Sequence, residues 1–140
     1  MSGGFGASGS TVPSGSAGGD LSGAYPNPSL ARKAVTTTTD QSPSDSDSGT
    51  KYNNTGAGGE VKINLPSSPT IGTRYSLCVV AAQYMRLVAN TGQTIQLDAM
   101  VSAVAGYMRS NYSGASATVE YVGSNQWFCY SIQGPWNKDV

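Results

Sequence analysis

Thr118-Val119-Glu120-Tyr121-Val122-Gly123-Ser124-Asn125-Gln126-Trp127-Phe128-Cys129-Tyr130-Ser131-Ile132 decides how the rest of the chain reads. Two runs rich in β-branched and aromatic residues flank Gly123-Ser124-Asn125, and that pattern predicts a β-hairpin. The same signature recurs upstream. Val61, Ile63 and Leu65 alternate with Glu60, Lys62 and Asn64, which predicts a half-buried strand closed by Pro66. Tyr75 to Ala82 is a near-continuous apolar run suited to a central strand. Met85-Leu87 and Ile95-Leu97 alternate again on either side of the turn Asn90-Thr91-Gly92. A short helix over Asp98 to Met108 competes with Gly106 and several β-branched or small residues. Short strands at roughly ten-residue spacing predict an all-β fold, a C-terminal β-sandwich or jelly-roll-like domain.

Upstream of the strands the composition changes twice. Residues 1–24 hold eight glycines and six serines, with Phe5, Val12 and Leu21 among the few apolar side chains. Alone in water such a segment buries too little surface to offset its ordering entropy, so it reads as an extended arm that sister subunits or a larger partner must hold. Residues 36–51 carry no aliphatic or aromatic side chain and read as a solvated linker or extended surface segment. The expected organisation is an arm and neck over 1–35, a polar linker over 36–51 and a β-sandwich knob over 52–140. A knob of that size is marginal alone, and closed cyclic association is the usual remedy. Composition does not choose between two subunits and three.

The whole chain has 140 residues, with 8 basic side chains against 8 acidic ones and no histidine. That balance argues against sequence-independent nucleic-acid binding and against a polybasic membrane anchor. Without histidine, Ser-His-Asp and Cys-His catalysis and histidine-containing zinc sites are excluded. Charged residues make up 11%, against roughly 25% in an average domain. No run approaches the roughly 18 apolar residues of a membrane-spanning helix. The start Met1-Ser2-Gly3-Gly4-Phe5 lacks the basic and apolar regions of a secretory signal, which predicts synthesis in the cytoplasm without export by that route. Cys78 and Cys129 lie in the two most apolar stretches and are expected as buried free thiols on strands.

The arm ends in Gly18-Gly19-Asp20-Leu21-Ser22-Gly23-Ala24-Tyr25-Pro26-Asn27-Pro28-Ser29-Leu30. This stretch resembles the Gly-Asp-Leu-Ser-Gly-x-Tyr-Pro-Asn-Pro segment of bacteriophage tail fibres and head-decoration proteins. More loosely, Gly58 to Pro66, Thr73 to Val80 and Gln126 to Cys129 are similar to the C-terminal β-domains of such proteins. The long repetitive shaft of a tail fibre has no counterpart here: no internal period is found. The resemblance implies a homotrimeric virion protein, synthesised in the host cytoplasm and carried on the outer surface of the capsid. It would be a capsid cement or decoration protein with the major capsid protein as partner. The alternative is a short tail fibre or spike, with a baseplate or tail hub and a host receptor as partners. It also implies a trimer neck formed by Asp20, Gly23, Tyr25, Pro26, Asn27, Pro28 and Leu30, with Phe5, Val12 and Leu21 as capsid-binding anchors. Asp20 suits a turn, Gly23 close approach, Tyr25 packing with a hydroxyl to satisfy, and the two prolines a stiff extended chain.

Other signals carry less. Gly4-Phe5-Gly6-Ala7-Ser8-Gly9 satisfies G-x-G-x-x-G, yet no strand precedes it and no helix pattern follows. Asp45-Ser46-Asp47-Ser48-Gly49 hints at a calcium loop, but Gly56 stands where the closing glutamate belongs. Asn53-Asn54-Thr55 and Asn111-Tyr112-Ser113 are glycosylation sequons, relevant only in a secretory pathway. Glu60, Asp98, Glu120 and Asp139 are scattered singly, so a glycosidase pair is not indicated and no enzymatic role, metal or cofactor is expected. Trp127 and Trp136 flank the final strand with Tyr130 between them. Core packing, with Gly134-Pro135-Trp136 as a lid, stands beside a receptor or glycan contact at the domain tip. A free-standing carbohydrate-binding module is a third reading, weakened by the missing signal.

Overall fold

The structure is a computed structural model that describes residues 14–19, 21–25, 29–30 and 33–139. The chain divides into two units, Met1–Arg32 and Lys33–Val140. In the first, β1 (Leu21–Ser22) and β2 (Ser29–Leu30) pair antiparallel, Leu21 opposite Leu30 and Ser22 opposite Ser29. A bridge between Ser16 and Ala24 and the bond from Tyr25 N–H to the Gly15 carbonyl (3.0 Å) extend this small ribbon. Gly23, at φ 90°, adopts a left-handed angle at which other residues are strained, and the extended run expected around Pro26, Asn27 and Pro28 lies outside the described residues.

The second unit is built from β3 (Ala34–Thr36), β4 (Lys51–Asn53), β5 (Val61–Asn64), β6 (Arg74–Cys78), β7 (Met85–Val88), β8 (Thr94–Leu97), β9 (Met100–Val101), β10 (Tyr107–Ser110), β11 (Ser116–Gly123), β12 (Gln126–Gln133) and β13 (Asn137–Lys138). It is all-β, and no α-helix occurs among the described residues. One sheet runs β3-β4-β6-β11-β12-β8-β9 and the other β13-β10-β7-β5. Between β4 and β8 successive strands alternate between the sheets, so each pair in one sheet is joined by a strand of the other. That crossover makes β4–β6 and β5–β7 parallel, as β3–β4 and β8–β12 also are.

Alternate residues of both sheets enter one buried cluster. Val61, Ile63, Met85, Leu87 and Met108 come from the smaller sheet. Tyr75, Leu77, Val119, Trp127 and Ile95 come from the larger. Removing each large apolar side chain from water contributes about 1.5–3 kcal/mol, which makes this cluster the main stabilising term. The predicted hairpin is present as β11–β12, and Ser124 (φ 53°) and Asn125 (φ 58°) give it the left-handed pair of a type I′ turn.

Three expectations are corrected. Residues 36–51 are part of the folded unit rather than a linker. β3 and β4, which bracket the segment, pair with each other, Thr37 and Thr50 are buried, and Asp45–Asp47 forms a single 3₁₀ turn. Gln41 N–H donates to the Lys62 carbonyl (2.9 Å), and Tyr75 Oη donates to the Ser44 carbonyl (2.7 Å). The segment is held by hydrogen bonds instead of apolar burial, so its composition resembles that of a linker. No helix forms over Asp98 to Met108: Met100 and Val101 pair with Leu97 and Gln96 as β9, and β10 begins at Tyr107. Finally, of the two free thiols only Cys129 is buried. Cys78 faces outward, because the apolar run from Tyr75 alternates in and out along β6.

Candidate functional site

The neck residues Asp20, Pro26, Asn27 and Pro28 and the arm anchors Phe5 and Val12 lie outside the described residues. Leu21 and Tyr25 are half-buried, and Leu30 takes its place in β2 opposite Leu21. Among the described residues nothing lies within 4 Å of a Cβ built on Gly23, and its backbone angle is the reason for glycine that they supply.

At the other end of the sequence the structure separates the three aromatic candidates. Trp127 is fully buried and donates Nε1–H to Gln93 Oε1 (2.9 Å), with its ring against Tyr75 and Tyr121. Trp136 is 5% exposed and shares its Nε1–H between the carbonyls of Ser116 and Gln133. Both indoles take the core-packing role, and Trp136 also contributes to the wall of a neighbouring groove. Tyr130 alone is open, and its hydroxyl donates to Glu120 Oε1 (2.6 Å). That bond is the main reason its pKa is raised, since the phenolate would face the carboxylate.

The parity of β12 exposes a different ring. With Trp127 and Cys129 inward, Phe128 and Tyr130 turn outward, and Phe128 is 40% exposed. Register places Glu120 of β11 on one side of Phe128 and Gln96 of β8 on the other. The ladder between β8 and β12 ends at Leu97 opposite Cys129, where Asp98-Ala99 turns the chain into β9. Beyond that turn a groove of about 640 Å³ opens, lined by Leu97, Asp98, Met100, Phe128, Ile132 and Trp136 among others.

Backbone irregularity shapes this groove. Asp98 (φ 55°) and Ser131 (φ 53°) adopt left-handed angles that favour glycine, and such positions concentrate at functional sites. The register of β11 and β12 shifts between Ser116 and Thr118, leaving one extra residue on β12. That bulge lets Ile132 both line the groove and pack on the core. Gly134, at φ 74°, passes so close to Ala115 that a Cβ would stand 2.9 Å from the alanine methyl. Gln126 Nε2 donates to Gln96 Oε1 (3.0 Å), and Gln96 Nε2 donates to the Asp98 carbonyl (3.3 Å). The exposed Asp98 carboxylate has no hydrogen bond or ion pair among the described residues. Cys129 closes one wall, and burial pushes its thiol up to about 12, which leaves it unreactive at neutral pH.

The outer face of the smaller sheet is arranged otherwise. Lys62, Arg86 and Arg109 stand in one cross-strand row. Arg86 meets Glu60 at 2.8 Å and Arg109 meets it at 3.9 Å. The Arg86 guanidinium lies 3.9 Å from the centre of the Tyr107 ring, and that of Arg109 lies 4.0 Å from the Tyr84 ring. Of the remaining carboxylates, Asp139 accepts the Ala103 N–H (3.0 Å). Asp45 is engaged by Thr70 and Thr73 rather than poised for calcium. No group of three potential metal ligands, and no helix long and apolar enough to cross a membrane, occurs among the described residues.

Phe128, which completes this groove, was not singled out from the sequence as a site residue, and Asp98 was noted there as an isolated carboxylate. The signal for Phe128 was present: once Trp127 is assigned to the core, the period of two exposes its neighbour. Compared with known proteins, the chain matches no family model and no curated protein.

Proposed function

We propose that the protein is a non-enzymatic structural component of a bacteriophage particle, a homotrimeric capsid cement or decoration protein. Its N-terminal unit docks on the outer head and its β-unit projects as a jelly-roll-like knob. The observation that carries this reading is the Leu21–Ser22/Ser29–Leu30 ribbon inside the Gly-Asp-Leu-Ser-Gly-x-Tyr-Pro-Asn-Pro segment. Two strands of two residues are too few for independent stability. Sister copies of the neck, or a capsid strand added to its edge, would supply the missing pairing. Three linked weak attachments would then gain avidity through effective concentration alone.

A short tail fibre or spike is the second reading, favoured by the open groove beside Phe128. Labelling the C-terminus and imaging particles separates the two. Many labels spread over the head support the decoration role, and a few confined to the tail support the fibre. Unlabelled particles would sink both. Sedimentation of the purified protein checks the trimer, expected at three times the 14.4 kDa chain.

A further inference from the structure

We infer that the groove between the Asp98-Ala99 turn and the second half of β12 is a binding site for a neutral saccharide. The inference goes beyond the place of the protein in a particle and holds for either attachment. Three observations converge on it.

The first is an uncovered aromatic face with polar groups on both flanks. Phe128 is set by strand register between Glu120 and Gln96, and Tyr130 stands two residues along on the same face. A pyranose ring presents C–H groups on one side and hydroxyls around its rim. A ring of that shape needs an apolar platform bordered by acceptors and amides. Glu120 already holds the Tyr130 hydroxyl, and the amides of Gln126 and Gln96 are linked in sequence to the Asp98 carbonyl. These polar groups are therefore held in place before a ligand arrives.

The second is the Asp98 side chain. An ionised carboxylate offers about four acceptor sites, and none is used by the described residues. It sits on a backbone angle that glycine would adopt at lower cost. The positive φ belongs to the two-residue β8–β9 turn, where aspartate is tolerated, and it leaves the unengaged carboxylate at the edge of the cavity within reach of a ligand. Adjacent hydroxyls of a sugar are donors suited to it.

The third is charge. Asp98 is the charged residue among those that line the groove, and no cation is among its described lining residues. The balance is negative, so uronic, sialic and phosphorylated sugars are disfavoured and a neutral one is selected. The cavity, about 640 Å³, lies within the range of small-ligand sites.

The test is a ¹H–¹⁵N titration of the full-length protein with cellobiose, maltose, lactose and N,N′-diacetylchitobiose, and with digalacturonate as the anionic control. At least one neutral disaccharide is expected to give saturable shifts confined to Asp98–Met100 and Phe128–Ile132, with a Kd on the order of 1 mM or tighter. Phe128→Ala and Asp98→Gly are each expected to weaken it by about tenfold or more. Asp98→Gly is also expected to melt no lower than the parent protein, because glycine accepts the left-handed angle; loss of binding then cannot be ascribed to unfolding. Saturation by none of the neutral sugars overturns the inference, as does equal or tighter binding of digalacturonate. So does unchanged affinity in both variants. If instead Phe128→Ala dissociates an oligomer in sedimentation, the face is a contact between copies of this chain and the saccharide assignment falls.

Discussion

The outer faces of the two sheets carry the same kinds of residue in different states of engagement. On the smaller sheet, Tyr84 and Tyr107 lie under the guanidinium groups of Arg109 and Arg86, and Glu60 sits against both arginines. Three cations in one cross-strand row would repel each other, and the stacking and the carboxylate offset that repulsion. On the larger sheet, among the described residues, Phe128 has no cation over it and Asp98 has no partner, although Arg74 is near enough in register to pair with Glu120. Composition flags both faces equally. What separates them is whether the complement of each group is already in the molecule, and only the open face has something left to offer a ligand.

The largest expected contrast is chemical. Cys78 is exposed and Cys129 is buried in the groove wall with its thiol pushed up to about 12. A rise of that size lowers the thiolate fraction at neutral pH by about three orders of magnitude relative to an ordinary cysteine. Reaction with a disulfide reagent should therefore consume one thiol in the native protein and two after denaturation. Rapid modification of both in the folded state would mean that the groove wall opens, and the fixed geometry argued for the open face would be wrong.

Next in size is the backbone behind the groove. Gly134→Ala combines a left-handed angle with a Cβ set too close to Ala115. The expected loss is about 2–4 kcal/mol in denaturant unfolding. An unchanged midpoint would show that the close approach of Gly134 to Ala115 does not shape the site.

How far the sequence foretold this contrast follows from what each element is made of. The β11–β12 hairpin and β5 were legible because their apolar residues alternate and their turns carry the right chemistry. The parallel pairings were not: β4–β6 and β5–β7 each skip a strand of the other sheet, β8–β12 skips three strands and β3–β4 closes the segment over 37–50, and no local signal specifies such partners. The belt over 36–51 was misread because hydrogen bonds to Lys62, Thr70 and Tyr75 leave no apolar period. Within the site, Tyr130 was legible as an aromatic near a tip, but two tryptophans beside it drew the reading inward. Asp98 was opaque, since its significance lies in a backbone angle and in the lack of a partner.

A matched pair of substitutions tests the comparison directly. Tyr107→Ser removes the ring beneath Arg86, which also lies 5.4 Å from Arg109, and leaves the cationic row without its platform. The expected cost is about 2 kcal/mol. Phe128→Ser removes a ring that no cation covers, and the expected cost is below about 1 kcal/mol. Equal losses by thermal or chemical unfolding would erase the distinction between a face that is stitched together and one that is left open.

The smallest effect concerns acid. Thr70 holds the Asp45 carboxylate through its hydroxyl (2.7 Å) and its backbone N–H (2.9 Å), and this keeps the Asp45 pKa below the usual value of 3.8. In the unfolded chain the group titrates at its ordinary value, so the folded state binds the proton less readily. The stabilisation is therefore complete above about pH 4 and is lost as pH falls through the lowered native value. A melting curve followed from pH 5 to pH 2 should decline more steeply for the parent protein than for Asp45→Asn, which cannot titrate there. Asp45 is distant in sequence from both β12 and the Arg86 row, and its bonds are to the 70–73 turn, so saccharide titrations above pH 5 should be the same in both proteins. A shift in sugar affinity on Asp45→Asn would mean that the polar belt and the groove are coupled, and the open face could no longer be treated as a site set by its own strands.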